Sequence, residues 1–139
     1  MELAVSDRED IIDVLVRYAT GIDRRDWPLF RTVFTDDCVL DYGEIGQWNG
    51  VDAVTEFMDQ VHAMAGYTLH RLSNHAIAVD GDTATARTYV DSLIMAADSS
   101  PANSSGVNGI GFYDDELVRT AAGWQIARRR FTAVRIANV

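Results

Sequence analysis

The sequence is poor in positive charge, in cysteine and in long apolar runs, and each shortage excludes a class of protein. Its 139 residues carry 12 Lys and Arg against 21 Asp and Glu, a net charge of -9. That balance disfavours a nucleic acid or an anionic membrane as partner, because both bind through clustered positive charge. One cysteine, Cys38, excludes an internal disulfide and a thiolate zinc cluster. No apolar run approaches the roughly 20 residues that span a bilayer.

What is present points to a globular protein. Hydrophobic residues make up 47% of the chain, enough for a full core. The start, MELAVSD (1–7), lacks the basic and apolar regions of a secretory signal peptide. We therefore expect one domain over residues 1–139 in a cytoplasmic setting.

Helices are predicted in the first half of the chain. Ser6 and Glu9 form a capping box before an apolar stripe, so a helix is expected to run to about Asp23. The segment DWP (26–28) has the N-cap and early proline of a second, short helix that carries residues 29–34. A short strand over 38–42 and a return through Trp48 precede a third helix that begins at about 50.

The second half of the chain has the sequence pattern of long strands. We predict strands over 67–79, 83–97, 109–120 and 124–136, with tight turns at DGD (80–82) and AAG (121–123). The polar segment 98–108 is predicted as a loop, either a lid or an ordinary surface loop. Helices followed by an antiparallel meander indicate an α+β fold, with the helices packed on one face of a curved sheet. Such a cone is open at one end, which is a natural ligand pocket.

His70 and Asp23 are the strongest candidates for chemistry. His70 lies within YTLHRL (67–72), where an imidazole is either a hydrogen-bonded core group or a base in a pocket. Asp23 is either a solvated acid paired with a neighbouring arginine or the carboxylate that orients His70. The other histidines, His62 and His75, are expected on an exposed helix face and on the opposite strand face. Because no H-x-H or H-x-x-x-H spacing occurs, no metal site is predicted.

Three more polar residues are candidates for the same pocket. Tyr18 precedes Asp23 by five residues, about 140° around a helix, so the two share a face only if the helix ends or bends between them. Tyr42 ends the short strand. Arg129 is the middle residue of RRR (128–130) and is expected to be the inward, buried arginine, which then needs an anionic partner.

Five segments, in order and spacing, match a known family: YATGIDRRDW (18–27), FTDDCVLDY (34–42), TLHR (68–71), DGDTA (80–84) and GWQI (123–126). They resemble the SnoaL-like branch of the nuclear transport factor 2-like (NTF2-like) superfamily, over nearly the whole chain. The resemblance implies an NTF2-like cone. Within that superfamily the chain is most similar to cofactor-independent lyases: scytalone dehydratase, hexachlorocyclohexane dehydrochlorinase and bile acid 7α-dehydratase.

The resemblance implies roles for individual residues. His70 matches the base of the His–Asp dyad and Asp23 its acid, while Tyr18, Tyr42 and Arg129 match active-site positions of one or another of these lyases. The chain also departs from them. Ile94 stands where scytalone dehydratase has a second histidine, and Gly111 and Tyr113 replace its serine and asparagine. Tyr18 replaces the lysine of the dehydrochlorinase. For the ketosteroid isomerases, Asp41 falls near the base, without their surrounding sequence.

Together these observations predict a cofactor-independent, dehydratase-type lyase for a small, apolar, cyclic substrate that carries hydroxyl and carbonyl groups. The alternatives are a ketosteroid-isomerase-like isomerase or polyketide cyclase, and a non-catalytic binding protein, for which His70 and Asp23 would lie beyond hydrogen-bond reach. The open sheet face, with Trp124, Arg128 and Arg130, is expected to form a homodimer or homotrimer. The predicted pocket lining is apolar: Leu40, Phe57, Met58, Leu72, Ile110, Phe112 and Phe131.

Overall fold

The computed structural model describes residues 6–139, and the signal-peptide expectation therefore falls on residues outside the described part. Three helices and a short 3-10 turn precede the long strands. Their bounds are α1 Asp7–Asp23, α2 Trp27–Arg31, the turn Gly43–Ile45 and α3 Val51–Ala63.

The first two helices begin at the predicted caps. The Ser6 Oγ accepts a hydrogen bond from the Glu9 backbone N–H at 3.2 Å. The Asp26 Oδ1 accepts one from the Leu29 N–H at 3.1 Å. Each bond satisfies a donor that the first helical turn leaves free, which fixes where the helix begins.

Six strands form one sheet in the order β2-β1-β6-β5-β4-β3, antiparallel except for the parallel pair β1 and β6. The sheet and its helices confirm the α+β class and the cone. The strands are β1 Phe34–Asp41, β2 Gln47–Asn49, β3 Ala65–Asp80, β4 Thr83–Ala96, β5 Gly106–Thr120 and β6 Gly123–Asn138.

Two strands begin earlier than predicted, because pairing with a distant partner extends them. Strand β1 includes Phe34, which the sequence placed in the second helix, since Phe34 pairs with Ile126 of β6. Strand β5 begins at Gly106, where an added Cβ would lie 2.5 Å from the carbonyl oxygen of Ile94. Only glycine allows the two strands to approach this closely.

The core lies between the helices and the concave face of the sheet. Tyr18, Phe30, Phe34 and Leu40 are among its largest fully buried side chains. Burial of apolar surface at about 25 cal/mol per Å² drives this packing. No helix in the described range 6–139 is long and apolar enough to cross a membrane.

Trp124 does not lie on the outer face of the sheet, contrary to the prediction. It is 3% exposed, faces the helices, and donates a hydrogen bond from Nε1 to Asp7 Oδ1 at 3.2 Å. Arg128 and Arg130 are exposed on the other side. The pairing of β6 with β5 shifts register between Glu116 and Leu117. This irregularity breaks the simple alternation of inward and outward side chains along β6.

Candidate active site

The centre of the site is a hydrogen bond between Asp23, the last residue of α1, and His70 in β3. His70 Nδ1 lies 2.7 Å from Asp23 Oδ1. The His70 backbone N–H donates to Asp23 Oδ2 at 2.9 Å. A carboxylate can only accept, so Nδ1 carries the proton and Nε2 keeps its lone pair for a ligand.

Two further residues hold the carboxylate in place. Thr68 donates from Oγ1 to Asp23 Oδ1 at 2.9 Å, and Arg25 in turn donates to Thr68 Oγ1 at 2.8 Å. The Arg25 guanidinium also caps the end of α1 by bonding the Ile22 carbonyl at 2.9 Å. Its backbone has a φ of 56°, in the left-handed region, where a non-glycine residue is strained.

This network sets the charge of Asp23. Burial acts to raise the pKa of Asp23, but the hydrogen bonds from the His70 ring, the His70 backbone and Thr68 outweigh it. The net effect lowers the pKa of Asp23 below its ordinary value. The group is therefore ionised at neutral pH.

His70 lines a partly open, mainly apolar cavity of about 250 Å³ between α1, α3 and the concave sheet face. The three predicted lining residues that lie in it are Phe57, Met58 and Phe131. The remaining walls come from Tyr18, Ile22, Tyr42, Ile45, Val61, His62, Val90, Ser92, Ile94, Val107, Gly109, Tyr113 and Ile136.

Tyr18, Tyr42 and Tyr113 form the polar part of the cavity wall opposite the apolar residues. The hydroxyls of Tyr18 and Tyr42 lie 2.5 Å apart, and the Tyr18 ring meets the His70 ring edge-on with centroids 6.3 Å apart. Helix α1 runs unbroken from Tyr18 to Asp23, so no bend is needed: the two residues approach His70 from different directions. Burial raises the pKa of Tyr42 and of Tyr113 well above its ordinary value, so both phenols stay protonated.

Arg129 is buried as predicted, but it does not line the cavity. It forms a two-bond ion pair with Asp115, its partner across the strands, at 2.7 and 2.9 Å. Its guanidinium lies 4.2 Å from the Tyr18 ring and 3.8 Å from the Tyr113 ring, behind both. Burial opposes its charge, yet the Asp115 carboxylate keeps the pKa of Arg129 well above its usual value.

Four predicted lining residues lie elsewhere. Leu40 is fully buried in the core, and Leu72 lines a second hollow beside α1, which Asp23 and His70 also border. Ile110 and Phe112 are on the outer sheet face, where Phe112 lies under the Arg87 guanidinium. The inward positions of β5 belong instead to small or polar residues such as Gly109, which leave room for the cavity.

Two other predictions for the site find no support in its geometry. Asp41, the isomerase-like candidate base, is not among the cavity lining; its Oδ1 accepts from the Gly43 N–H at 2.9 Å and its Oδ2 lies 3.6 Å from Arg130. The polar loop, shortened by the strands to 97–105, contributes no residue to the cavity wall.

Larger hollows exist on the sheet. One, of about 670 Å³, is lined by ion pairs such as Arg87 with Asp114 and Arg130 with Asp41. Because these charges already satisfy one another, we place the candidate site in the smaller cavity, where His70 has a free nitrogen. Within the described part of the chain, no cluster of three His, Cys, Asp or Glu residues is arranged to hold a metal ion.

Comparison with known proteins decides the family. The model of the SnoaL-like domain matches residues 4–130. The chain belongs to the SnoaL-like family. An uncharacterized protein of Mycobacterium tuberculosis is 35% identical to this SnoaL-like chain over 127 residues, which cover 90% of this chain and 84% of that protein.

Solved structures agree with this SnoaL-like assignment. A proposed aromatic ring hydroxylase from Novosphingobium aromaticivorans is 29% identical to this chain, with a TM-score of 0.86. The match covers 99% of this chain and 96% of the hydroxylase chain. A proposed scytalone dehydratase from the same species has 20% identity and a TM-score of 0.84, over 94% of this chain and 86% of its own. At that identity, the second match shows the shared NTF2-like fold.

The sequence did not reveal two residues of this SnoaL-like cavity. Tyr113 was seen only as a departure from a dehydratase pattern, and strand alternation alone could not place it inward. His62, predicted on an exposed helix face, is 4% exposed and lines the cavity. Its spacing of four from Met58, a predicted buried position, was the available signal.

Proposed function

We propose that this protein is a cofactor-independent lyase that removes water from a small cyclic hydroxyketone, with His70 as general base. The observation that carries the proposal is the 2.7 Å hydrogen bond between His70 Nδ1 and Asp23 in a histidine that lines the cavity. If the protein were a non-catalytic carrier, His70 and Asp23 were expected to lie beyond hydrogen-bond reach of each other. The proposal is further supported by family membership.

In the proposed reaction, His70 Nε2 takes a proton from the carbon next to the substrate carbonyl. The electron pair of that C–H bond forms a carbon–carbon double bond as the C–O bond to the neighbouring hydroxyl group breaks. The departing oxygen receives its proton from the His70 imidazolium, either directly or through a tyrosine hydroxyl that the imidazolium then reprotonates, so that water leaves and both groups return to their starting state. Base catalysis of this kind supplies about 10²–10⁴-fold.

The other groups would act on the charge that develops. The Asp23 carboxylate holds the His70 ring and stabilises its positive charge. Tyr18 and Tyr42 share one hydrogen bond, and the hydroxyl whose proton that bond does not use donates to the substrate oxygen in a mainly apolar site, where such bonds count most. Arg129 would act indirectly, because its guanidinium packs against the Tyr18 ring and does not line the cavity.

The test uses a β-hydroxytetralone, which loses water to give a fluorescent naphthol. We expect His70→Ala and Asp23→Asn to lower kcat on the order of a hundredfold or more. His75→Ala is the matched control, since His75 is on the same strand but bonds Thr88 and does not line the cavity. If the wild-type protein binds the ketone without speeding loss of water, the cavity is a binding site and the lyase proposal is wrong.

We also propose that the outer sheet face packs against further copies of the chain, as a homodimer or homotrimer. Tyr89 and Phe112 are paired across strands on that face, beside Ile110, with exposed fractions of 49% for Tyr89 and 36% for Ile110. An apolar centre ringed by ion pairs suits such an interface. Ile110→Asp should shift the mass measured by light scattering to that of a monomer; a monomeric wild type would refute the proposal.

A further inference from the structure

His62 has one ring nitrogen fully committed and one without a partner. Its ring belongs to α3 and lines the cavity, with 4% of its surface exposed. Nδ1 lies 2.7 Å from the carbonyl oxygen of Met58, one turn earlier in the same helix. A carbonyl can only accept, so Nδ1 carries the ring proton. Nε2 therefore has a bare lone pair.

That lone pair is unsatisfied. Nε2 is buried and has no hydrogen-bond partner among the described residues. A buried acceptor without a donor destabilises the folded protein, and such a group therefore calls for an explanation, such as a bound ligand. Because Nδ1 faces its own helix, Nε2 lies on the opposite side of the ring, away from that backbone.

The surroundings favour a neutral acceptor. The ring centroid of His62 lies 6.3 Å from that of His70 and 6.2 Å from that of Trp27. Burial lowers the pKa of His62, and the positive charges of Arg25, and of His70 when it is protonated, act in the same direction, against the Met58 hydrogen bond and Asp23. At neutral pH the ring is therefore uncharged and accepts hydrogen bonds only at Nε2.

We infer that His62 is a substrate-binding residue whose Nε2 accepts a hydrogen bond from a hydroxyl group on the substrate ring. The inference rests on the proposed function in one respect, that the cavity holds a cyclic substrate. The hydroxyl that His62 recognises lies apart from the carbon that His70 deprotonates, because both histidines line the cavity and their ring centroids are 6.3 Å apart. The substrate class narrows to cyclic ketones with an additional alcohol or phenol hydroxyl directed at α3.

The first test needs no variant and no turnover. β-Naphthol offers a hydroxyl donor on a ring system, and its methyl ether keeps the rings but has no donor. With protein labelled with ¹⁵N at histidine, β-naphthol is expected to move the Nε2 resonance of His62 in the direction of an accepted hydrogen bond. The methyl ether should leave that resonance in place. A shift confined to His70, or none at saturating β-naphthol, would overturn the inference.

The second test measures selectivity. His62→Phe keeps a ring but removes the acceptor, and should lower the preference for β-naphthol over its ether on the order of fivefold. His62→Gln, which retains an acceptor, should keep part of that preference, whereas a purely structural residue would change both affinities equally. Failure of the lyase proposal would appear separately, as absent turnover in a protein that still distinguishes the two ligands.

Discussion

The hydroxyls of Tyr18 and Tyr42 lie 2.5 Å apart, so each takes part in the hydrogen bonding of the other. One hydroxyl donates its proton to the other, whose own proton can then be donated to a ligand. The two tyrosines therefore act as a unit. Groups that act as a unit show non-additive losses when removed.

We therefore expect Tyr18→Phe and Tyr42→Phe each to lower kcat about tenfold or more, with little further loss in the double variant. The measurement is steady-state turnover of the β-hydroxytetralone. Tyr67→Phe is the control, because Tyr67 is 88% exposed. Losses that multiply in the double variant would contradict a shared role.

The raised pKa of Tyr42 predicts its behaviour in alkali. Burial, the main cause, disfavours the phenolate, so the hydroxyl should stay protonated when the pH passes the ordinary tyrosine value of about 10. Titration of tyrosinate absorbance up to that pH, in folded protein, is expected to give the same amplitude for wild type and Tyr42→Phe. A smaller amplitude in the variant would show that Tyr42 ionises early and cannot remain a proton donor.

The lowered pKa of Asp23 predicts how stability depends on acid. Since the folded value lies below the unfolded value of about 3.9, the contribution of Asp23 is complete above that pH and is lost as the pH falls through the folded value. Asp23→Asn should cost about 2 kcal/mol near neutral pH, through lost charge-assisted hydrogen bonds.

The difference in free energy of unfolding between wild type and Asp23→Asn should then become smaller below about pH 3.9. Urea unfolding across a pH series measures it. Asp13→Asn is the control for loss of one carboxylate, because Asp13 is exposed on the same helix. If that difference in unfolding free energy stayed constant as the pH is lowered, Asp23 would add no pH-dependent stability.

The buried pair of Arg129 and Asp115 predicts an asymmetric response to mutation. Removing one partner leaves an uncompensated buried charge, so Arg129→Met should destabilise the protein by about 3–5 kcal/mol. The double variant Arg129→Met with Asp115→Leu should recover much of that loss, because neither charge remains. Urea unfolding of the wild type, Arg129→Met and the double variant tests this.

The same double variant separates stability from function. If Arg129 acts by supporting Tyr18 and Tyr113, turnover should fall even where stability is restored. Full activity in the stable double variant would assign Arg129 to folding alone.

The fold was predictable because its signals are local. The caps at Ser6 and Asp26, and the turn at Gly81 with a φ of 61°, depend on a few neighbouring residues and have the predicted roles. Family resemblance predicted that Asp23 meets His70, from which it is 47 residues away in the chain.

Placement of the other site residues depended on strand register, which is set by distant pairing. Alternation alone does not say which face of β5 is inward, and the apolar Ile110 and Phe112 were assigned to the wrong one. In β6, the register irregularity puts Trp124 and Arg128 on opposite faces.

Sequence reasoning alone predicted the α+β cone, the SnoaL-like family and the candidate base, because helix caps, turns and ordered motifs depend on residues close together in the chain. The surroundings of that base are a matter of tertiary structure. It put Arg129 behind the tyrosines, because Asp115 lies opposite it across the strands, and it brought His62 to the cavity, because α3 packs that face inward. Such contacts join residues far apart in the chain, and they follow from packing rather than from local pattern.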